Sequence, residues 1–294
     1  MFEKLKAWLV FDRLLSRPDI SKAYKMVGPE DSWYNTIKTV HDSLAKIGDL
    51  PHRTLEIESA DGLTLRGIYY PADTPSDKTV ICIHGYSSHA EREWAFPGLF
   101  YHSLGFNLLI PYQRAHGISE GKYITFGGLE REDMCRWAAK VNELTPGGWI
   151  LFHGLSMGGL IALLLDSADI PGLKAIISDA PSPGIESFFV NVSRSVFKAE
   201  GDKVSLCAME SFKKKSGCDA RALNGIDYVR EGKYPLLLSA GELENIEDFL
   251  NELKEASPSP AEIIILPGCN HGNGMYKQTE LYQGKIIEFL NKYF

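Results

Sequence analysis

The stretch F-H-G-L-S-M-G-G-L, residues 152–160, places one serine among three glycines between two apolar segments. Its centre, G-L-S-M-G, matches the pattern G-x-S-x-G, with a predicted strand before it and an apolar helix after it. A nucleophile on such a sharp turn can be exposed only if its neighbours carry no Cβ atom. Gly154 and Gly158 provide this clearance, and Gly159 lets the helix lie close to the sheet. We therefore predict that Ser156 is a nucleophile, because an ordinary helix N-cap would not require a glycine pair.

Short runs rich in Val, Ile and Leu alternate with helical patterns on both sides of this turn. Continuous apolar runs of this length are typical of strands that helices cover on both faces. A segment that alternates around Asp61-Gly62 precedes them and predicts a β-hairpin. The sequence therefore predicts an α/β fold with one doubly wound, mostly parallel sheet. The predicted helices cover residues 31–47, 91–104, 129–144, 157–167, 246–256 and 276–293.

The interval between the fourth and fifth predicted strands of the parallel series is too long for one crossover and rich in helix formers, which indicates an inserted helical cap. No low-complexity linker divides the chain. We expect a helical N-terminal extension at residues 1–50, a core at residues 51–180 and 234–294, and the cap at residues 181–233.

Apolar residues recur near helical spacing at the N-terminus, at Phe2, Leu5, Leu9 and Leu15. This stripe predicts a helix that packs on the core. Because basic residues lie between the apolar ones, contact with a membrane surface remains the alternative.

The composition excludes several classes of function. A chain of 294 residues with 44% hydrophobic residues can form a large core. A net charge of -7 without a long basic run argues against a nucleic-acid partner. Five scattered cysteines without a C-x-x-C pair argue against a zinc cluster and favour a reducing compartment. The N-terminal apolar run is too short for a secretory signal or a membrane span, so we expect a cytoplasmic protein with no integral membrane segment.

These motifs resemble those of the serine α/β-hydrolase superfamily, and the resemblance covers residues 52–294. The sequence I-H-G-Y at residues 83–86 is similar to the oxyanion loop of that superfamily. The resemblance implies that the backbone N–H groups of Tyr86 and Met157 stabilise an oxyanion, and that His84 orients the loop. In G-C-N-H-G at residues 268–272, it implies that His271 is the catalytic base.

The acid of the implied triad is less clearly marked. After the strand P-L-L-L-S-A-G, the letters G-E-L-E place Glu244 where the superfamily usually has aspartate. Glutamate can hold the imidazole tautomer and offset its charge as aspartate does. Glu242, Asp248 and Asp179 remain alternatives, and Asp179 is the first to test because it ends the preceding predicted strand.

The resemblance implies a serine hydrolase that cleaves a carboxylic ester or related acyl compound, needs no cofactor or metal, and acts on a small molecule. A peptidase, thioesterase or acyltransferase would use the same triad, and a binding protein could share the fold. In the cap, Phe188, Val192 and Val196, joined by Phe189 and Phe197, predict an apolar helical face. This face either packs in the core or lines a substrate pocket, for which Phe188, Phe189 and Val192 are the candidates.

Overall fold

A computed structural model describes residues 2–294, with side chains from residue 5 onward. The side chain of Phe2, part of the predicted N-terminal stripe, lies outside the described residues. Eight strands form a single sheet: β1 (Arg53–Glu58), β2 (Thr64–Tyr70), β3 (Lys78–Ile83), β4 (Asn107–Pro111), β5 (Trp149–Leu155), β6 (Leu173–Asp179), β7 (Leu236–Gly241) and β8 (Ala261–Leu266).

The strand order is β1-β2-β4-β3-β5-β6-β7-β8. The predicted hairpin is present, since β1 and β2 pair antiparallel with Arg53 opposite Tyr69 and Glu58 opposite Thr64. β2 also pairs antiparallel with β4. All later neighbours pair in parallel. This order confirms the predicted mostly parallel, doubly wound sheet and places β5, which precedes Ser156, near its middle.

Eleven α-helices cover or connect the strands in the described part of the chain. They are α1 (Phe2–Leu15), α2 (Tyr34–Gly48), α3 (Ala90–Ser103), α4 (Glu130–Leu144), α5 (Met157–Leu164), α6 (Ile185–Phe197), α7 (Gly201–Ser216), α8 (Gly225–Val229), α9 (Glu247–Ala256), α10 (Gly274–Lys277) and α11 (Thr279–Tyr293).

Two hydrophobic cores lie on the two faces of the sheet. Alternate residues of β3 belong to different cores: Ile81 and Ile83 to one, Val80 and Cys82 to the other. This alternation is what a strand with successive side chains on opposite faces produces when both faces are covered. Helices α4 to α9 contribute to the first core and α3 and α11 to the second.

The helices α6 to α8 lie between β6 and β7, within the predicted cap. The division into an extension, a core and a cap stays a prediction. None of the helices in the described residues combines the length and the apolar character that crossing a bilayer would require.

The stripe predicted for the N-terminal helix is wrong in its register. Leu5 and Leu9 are exposed, at 56% and 50%, whereas the buried face consists of Ala7, Val10, Phe11 and Leu15. The physical reason is that α1 packs lengthwise against α7, and the residues at positions 7, 10, 11 and 15 share the helical face that meets it. The helix carries large apolar residues on more than one face, so the sequence alone does not show that Val10 and Phe11, rather than Leu5 and Leu9, face α7.

Candidate active site

Ser156 lies at the turn between β5 and α5. Its backbone has φ 60° and ψ -113°, a region that residues other than glycine rarely adopt. The turn is held by hydrogen bonds, because the Ser156 N–H donates to the Asp179 carbonyl at 2.8 Å and the Ser156 carbonyl accepts from Ser182 at 3.1 Å. The turn at Ser156 is therefore held in its unusual conformation by the end of β6 and the segment that follows it.

The glycines around Ser156 are required by close backbone contacts. A Cβ atom at Gly154 would lie 2.0 Å from the Gly158 carbonyl oxygen, and one at Gly158 would lie 2.0 Å from the Ile83 carbonyl oxygen. At Gly159 it would lie 2.9 Å from the Asp179 carbonyl oxygen. Backbone atoms cannot yield to such contacts, so the start of α5 reaches this position only because these residues lack side chains.

The structure brings Ser156, His271 and Glu244 into one chain of hydrogen bonds. His271 Nε2 lies 2.9 Å from Ser156 Oγ, and His271 Nδ1 lies 2.5 Å from Glu244 Oε2. The other Glu244 oxygen accepts the Gly241 N–H at 2.7 Å. The Glu244 side chain is nearly buried, whereas the imidazole is open to solvent. The carboxylate is thus fixed and can set the orientation of the ring.

Two loops at adjacent strand ends place this pair. Glu244 ends a short 3-10 turn after β7, and His271 lies in the loop after β8. A Cβ atom at Gly241 would lie 2.4 Å from the Cys269 carbonyl oxygen, so the glycine allows the two loops to meet. Because β7 and β8 are parallel, their carboxyl ends lie at the same edge of the sheet as Ser156.

The pKa of His271 is raised above its ordinary value, chiefly by the hydrogen bond to Glu244. Partial desolvation of the ring by the surrounding protein opposes this shift. The negative charges of Glu244, Asp179 and Glu93 act in the same direction as the hydrogen bond. The surroundings therefore stabilise the imidazolium ion.

Asp179, the first alternative for the acid, does not take the place beside His271 that Glu244 occupies. It ends β6, is buried, and accepts hydrogen bonds from Ser239 Oγ at 2.9 Å and from the Tyr282 hydroxyl at 3.2 Å. Burial raises its pKa to about 6. Among the described residues, its carboxylate makes no hydrogen bond to His271.

The two other alternative acids are also directed elsewhere. Glu242 accepts the Gly268 N–H at 2.8 Å, and Asp248 lies exposed in the first turn of α9. Of the four carboxylates considered, Glu244 alone hydrogen-bonds the imidazole in the part of the chain that the structure describes.

The loop after β3 carries the predicted oxyanion donor Tyr86. His84 is fully buried, and burial lowers its pKa well below the ordinary value, so the ring is neutral. His84 Nε2 accepts the Gln113 N–H at 3.1 Å, which leaves the proton on Nδ1 to donate to the Gly85 carbonyl at 2.8 Å. Because that carbonyl and the Tyr86 N–H belong to one planar peptide unit, His84 sets the direction of the N–H.

The second predicted donor, Met157, is the first residue of α5, where backbone N–H groups have no acceptor within the helix. Within residues 2–294, we find no acceptor for the N–H of either Tyr86 or Met157.

The apolar face predicted for α6 needs correction in its register. The buried row is Ile185, Phe189 and Ser193, while Val196 is 61% exposed. Phe189 is fully buried against Phe212 of α7, with ring centroids 6.0 Å apart. The buried row is therefore shifted by one residue from the predicted stripe, from positions 188, 192 and 196 to positions 185, 189 and 193. The apolar pattern of α6 alone does not show the contact with α7.

Phe188 is half-buried and lies beside the loop after β3. Its ring centroid is 5.3 Å from that of Tyr86 and 5.0 Å from that of Phe126, and the latter two are 5.3 Å apart. Val192 is half-buried on the next turn of α6. The rings of Tyr86, Phe126 and Phe188 thus form one aromatic cluster.

Sequence reasoning missed Glu93, a buried residue of α3 whose Oε1 accepts the Gly85 N–H at 2.8 Å. A signal was present, because Glu93 shares a helical face with the apolar residues Ala90, Trp94 and Pro97. No group of His, Cys, Asp and Glu side chains that could hold a metal ion occurs in the described residues.

Comparison with solved structures identifies the architecture. The chain is similar to the Alpha/beta hydrolase GrgF from Penicillium sp. sh18, at 21% identity and a TM-score of 0.64, over 83% of this chain and 99% of that one. The protein has the α/β-hydrolase fold. The chain is also similar to the esterase Pf2001 of Pyrococcus furiosus, at 23% identity and a TM-score of 0.66, over 95% of this chain and 98% of that one.

A third similar structure is Est1E from Butyrivibrio proteoclasticus with ferulic acid bound, at 17% identity and a TM-score of 0.61, over 81% of this chain and 99% of that one. In sequence, the chain is 26% identical to the uncharacterized protein YqkD of Bacillus subtilis, over 85% of this chain and 83% of that protein. No protein-family model matches the sequence.

Proposed function

We propose that the protein is a serine hydrolase that cleaves a carboxylic ester or a related acyl compound through an acyl-enzyme. The observation that carries this proposal is the continuous chain of hydrogen bonds from Glu244 through His271 to Ser156 at the strand-to-helix turn. A serine that only capped a helix would need neither an imidazole at 2.9 Å nor a carboxylate behind it.

In the first half-reaction, His271 Nε2 takes the proton of Ser156 Oγ as the oxygen attacks the carbonyl carbon of the substrate. The electron pair of the carbonyl bond moves to its oxygen, which accepts hydrogen bonds from the Tyr86 and Met157 N–H groups. The imidazolium then gives its proton to the leaving alcohol as the ester C–O bond breaks. The acyl group remains on Ser156.

In the second half-reaction, His271 takes a proton from water, whose oxygen attacks the acyl carbon. The same oxyanion site holds the negative charge. The bond to Ser156 breaks, Oγ regains the proton, and the carboxylic acid leaves. Glu244 keeps the same role in both halves, because it stabilises the imidazolium that forms each time.

The aromatic cluster of Tyr86, Phe126 and Phe188 suggests the substrate class. It includes Tyr86, the proposed oxyanion donor; the half-buried rings of Tyr86 and Phe188 offer apolar surface to an acyl or alcohol group, and the buried Phe126 packs against both. We propose that Phe188 contacts the substrate, that Val192 extends this wall, and that buried Phe189 supports it from behind. Because Est1E has ferulic acid bound, feruloyl esters belong with nitrophenyl esters in the panel of substrates.

Labelling by a fluorophosphonate, which reacts with activated serines, tests the proposal. The wild-type protein should be labelled at Ser156 and should hydrolyse nitrophenyl esters, whereas Ser156→Ala should do neither. Circular dichroism of both proteins checks that they are folded. Absence of labelling and of ester, thioester and amide cleavage in folded wild-type protein would favour a binding protein instead.

A further inference from the structure

Gly85 connects β3 to the proposed oxyanion donor Tyr86, and both of its backbone groups are held by side chains. Glu93 Oε1 accepts its N–H at 2.8 Å, and His84 donates to its carbonyl at 2.8 Å. Glycine has the greatest backbone freedom of any residue, so a loop at this position needs such anchors to keep one conformation. A Cβ atom at Gly85 would lie 3.5 Å from both Glu93 Oε2 and Ser156 Cβ. The anchored peptide is thus next to the nucleophile.

The second oxygen of Glu93 connects this site to the N-terminal segment. Glu93 Oε2 accepts the Tyr24 hydroxyl at 3.2 Å. Tyr24 is itself held, because its carbonyl lies 2.9 Å from His41 Nε2 and the preceding Ala23 carbonyl accepts from Arg92 at 2.8 Å. Glu93 is therefore fixed from both sides, by the loop and by residues outside the predicted core.

The same N-terminal segment contacts the loop directly. The Tyr86 hydroxyl donates to the Leu14 carbonyl at 2.5 Å. Tyr86 is thus held at its side chain by residue 14, while the peptide before it is held by Glu93, which Tyr24 contacts.

We propose that Glu93 is a positioning residue: it holds the Gly85 N–H, and with it the start of the next peptide unit, so that the Tyr86 N–H points at the oxyanion. Tyr24 of the N-terminal segment holds Glu93 in place. The inference rests on the proposed function, since an oxyanion exists only if an acyl group reacts at Ser156. Glu93 touches no reacting atom; its effect passes through Gly85.

Two properties of Glu93 distinguish this role from general packing. Burying a carboxylate is costly unless it is hydrogen-bonded. The buried carboxylate of Glu93 accepts hydrogen bonds from the Gly85 N–H and the Tyr24 hydroxyl, which general packing would not require. Burial raises the pKa of Glu93 to about 7, and the titratable groups that face it are Tyr24, Cys82, Tyr276 and His271. Its charge in turn raises the pKa of His271.

The chain provides a matched control on the same helical turn. Glu91 accepts hydrogen bonds from the hydroxyls of Tyr70 at 3.0 Å and Tyr112 at 2.8 Å. Glu91→Ala therefore removes a carboxylate of equal size from α3 without releasing Gly85. Melting temperatures of both alanine variants measure any loss of stability.

We expect Glu93→Ala to lower kcat for a nitrophenyl ester by at least about tenfold, because misplacing an oxyanion donor should cause part of the loss that deleting it causes. KM should change by less than about threefold. Glu93→Gln, whose amide oxygen can still accept the Gly85 N–H, should restore kcat to within about threefold of wild type at pH 8. Because it removes a negative charge near His271, it should also move the acid limb of the kcat/KM profile to lower pH. Glu91→Ala should change neither kcat nor this profile.

Hydrogen–deuterium exchange of a peptide that covers residues 83–88 gives a readout independent of turnover. Exchange should be faster in Glu93→Ala and, to a smaller extent, in Tyr24→Phe, and unchanged in Glu91→Ala. If Glu93→Ala does not fold, Glu93→Gln and Tyr24→Phe carry the comparison.

Equal kcat and equal exchange in Glu93→Ala and Glu91→Ala would overturn the inference and leave the proposed function intact. The same holds if kcat of Glu93→Gln is as low as that of Glu93→Ala. A wild-type protein that cleaves no acyl substrate would instead overturn the proposed function, and with it the role of Glu93 in catalysis, whatever the exchange data show.

Discussion

His271 lies within the field of several carboxylates, yet it hydrogen-bonds to one of them. Glu244 approaches Nδ1 to 2.5 Å, while the oxygens of Asp179 accept hydroxyl groups of Ser239 and Tyr282 instead. A charge nearby can raise the pKa of the ring, but only the hydrogen-bonded carboxylate can fix its tautomer. The roles of the two acids should therefore separate in kinetics.

Glu244→Gln and Asp179→Asn test this separation. We expect Glu244→Gln to lower kcat by about 10²- to 10⁴-fold, because an amide can stabilise the wrong tautomer and carries no charge. Asp179→Asn should lower kcat by no more than about threefold, since His271 keeps its partner. Steady-state kinetics on one nitrophenyl ester measure both, and a large loss confined to Asp179→Asn would show that Glu244 is not the acid.

The pH dependence of kcat/KM follows from the raised pKa of His271. The base must be neutral, so activity should fall as the pH decreases through that pKa, with a midpoint above the ordinary value of about 6.5. Glu244→Gln removes the main cause of the shift, and the midpoint should move to lower pH even though the rate is lower. A midpoint that is unchanged by this substitution would mean that another group controls the acid limb.

At the residue scale, the sequence was sufficient to select Ser156 and His271, which the fold brings within 2.9 Å of each other, but not the residues around them. Ser156 and His271 stand in motifs whose neighbours are glycines, and the glycines reveal the turn. Four carboxylates were candidates for the acid. Asp179 ends β6 and the other three follow β7, so all lie near the carboxyl ends of two neighbouring strands, and only distances can separate Glu244 from Glu242, Asp248 and Asp179. Their arrangement depends on how two loops meet across Gly241.

The element that most depends on sequence detail is α5, whose start passes close to β3. The Gly158 Cβ position lies 2.0 Å from the Ile83 carbonyl oxygen, so α5 and β3 approach each other through their backbones. By contrast, Gly284 in α11 has open space around its Cβ position. Substituting alanine for glycine should therefore lower the stability of the protein at position 158 and raise it at position 284.

Gly158→Ala should destabilise the fold by more than about 4 kcal/mol or prevent folding, because β3 backbone must move. Gly284→Ala should raise the free energy of unfolding by about 0.5–1 kcal/mol, because alanine favours the helix and the side chain meets nothing. Urea denaturation measures both values. A Gly158→Ala protein of wild-type stability would disprove the close contact between α5 and β3.

Strand and helix positions were largely predictable because each apolar run is bounded by turn residues. The predicted helix at residues 276–293 is α11 with a separate short α10, divided at Gln278, whose side chain bonds the Pro267 carbonyl at 2.9 Å. The buried faces of α1 and α6 were less predictable. Both are set by packing against α7, which is distant in sequence from α1 and follows α6 after a short turn. In neither case does the apolar pattern of the helix itself show which of its residues meet α7.

At the scale of the whole molecule, segments far apart in the chain converge on one edge of the sheet. Ser156 follows a central strand, while His271 and Glu244 come from the loops after the last two strands. The N-terminal segment reaches the same edge through Leu14 and Tyr24. The sequence predicts an N-terminal extension on the core. It does not predict the hydrogen bonds of Leu14 and Tyr24, because no local pattern marks either residue as a partner of the site.

The most direct test of the central claim is whether an acyl group is transferred to Ser156. Rapid mixing with a nitrophenyl ester, followed by acid quenching and peptide mass spectrometry, detects that intermediate. We predict a burst of nitrophenolate of up to one equivalent when deacylation is slower than acylation, and an acyl adduct on the peptide that contains Ser156. Ester hydrolysis with no adduct at Ser156, or hydrolysis at the wild-type rate in Ser156→Ala, would contradict the account.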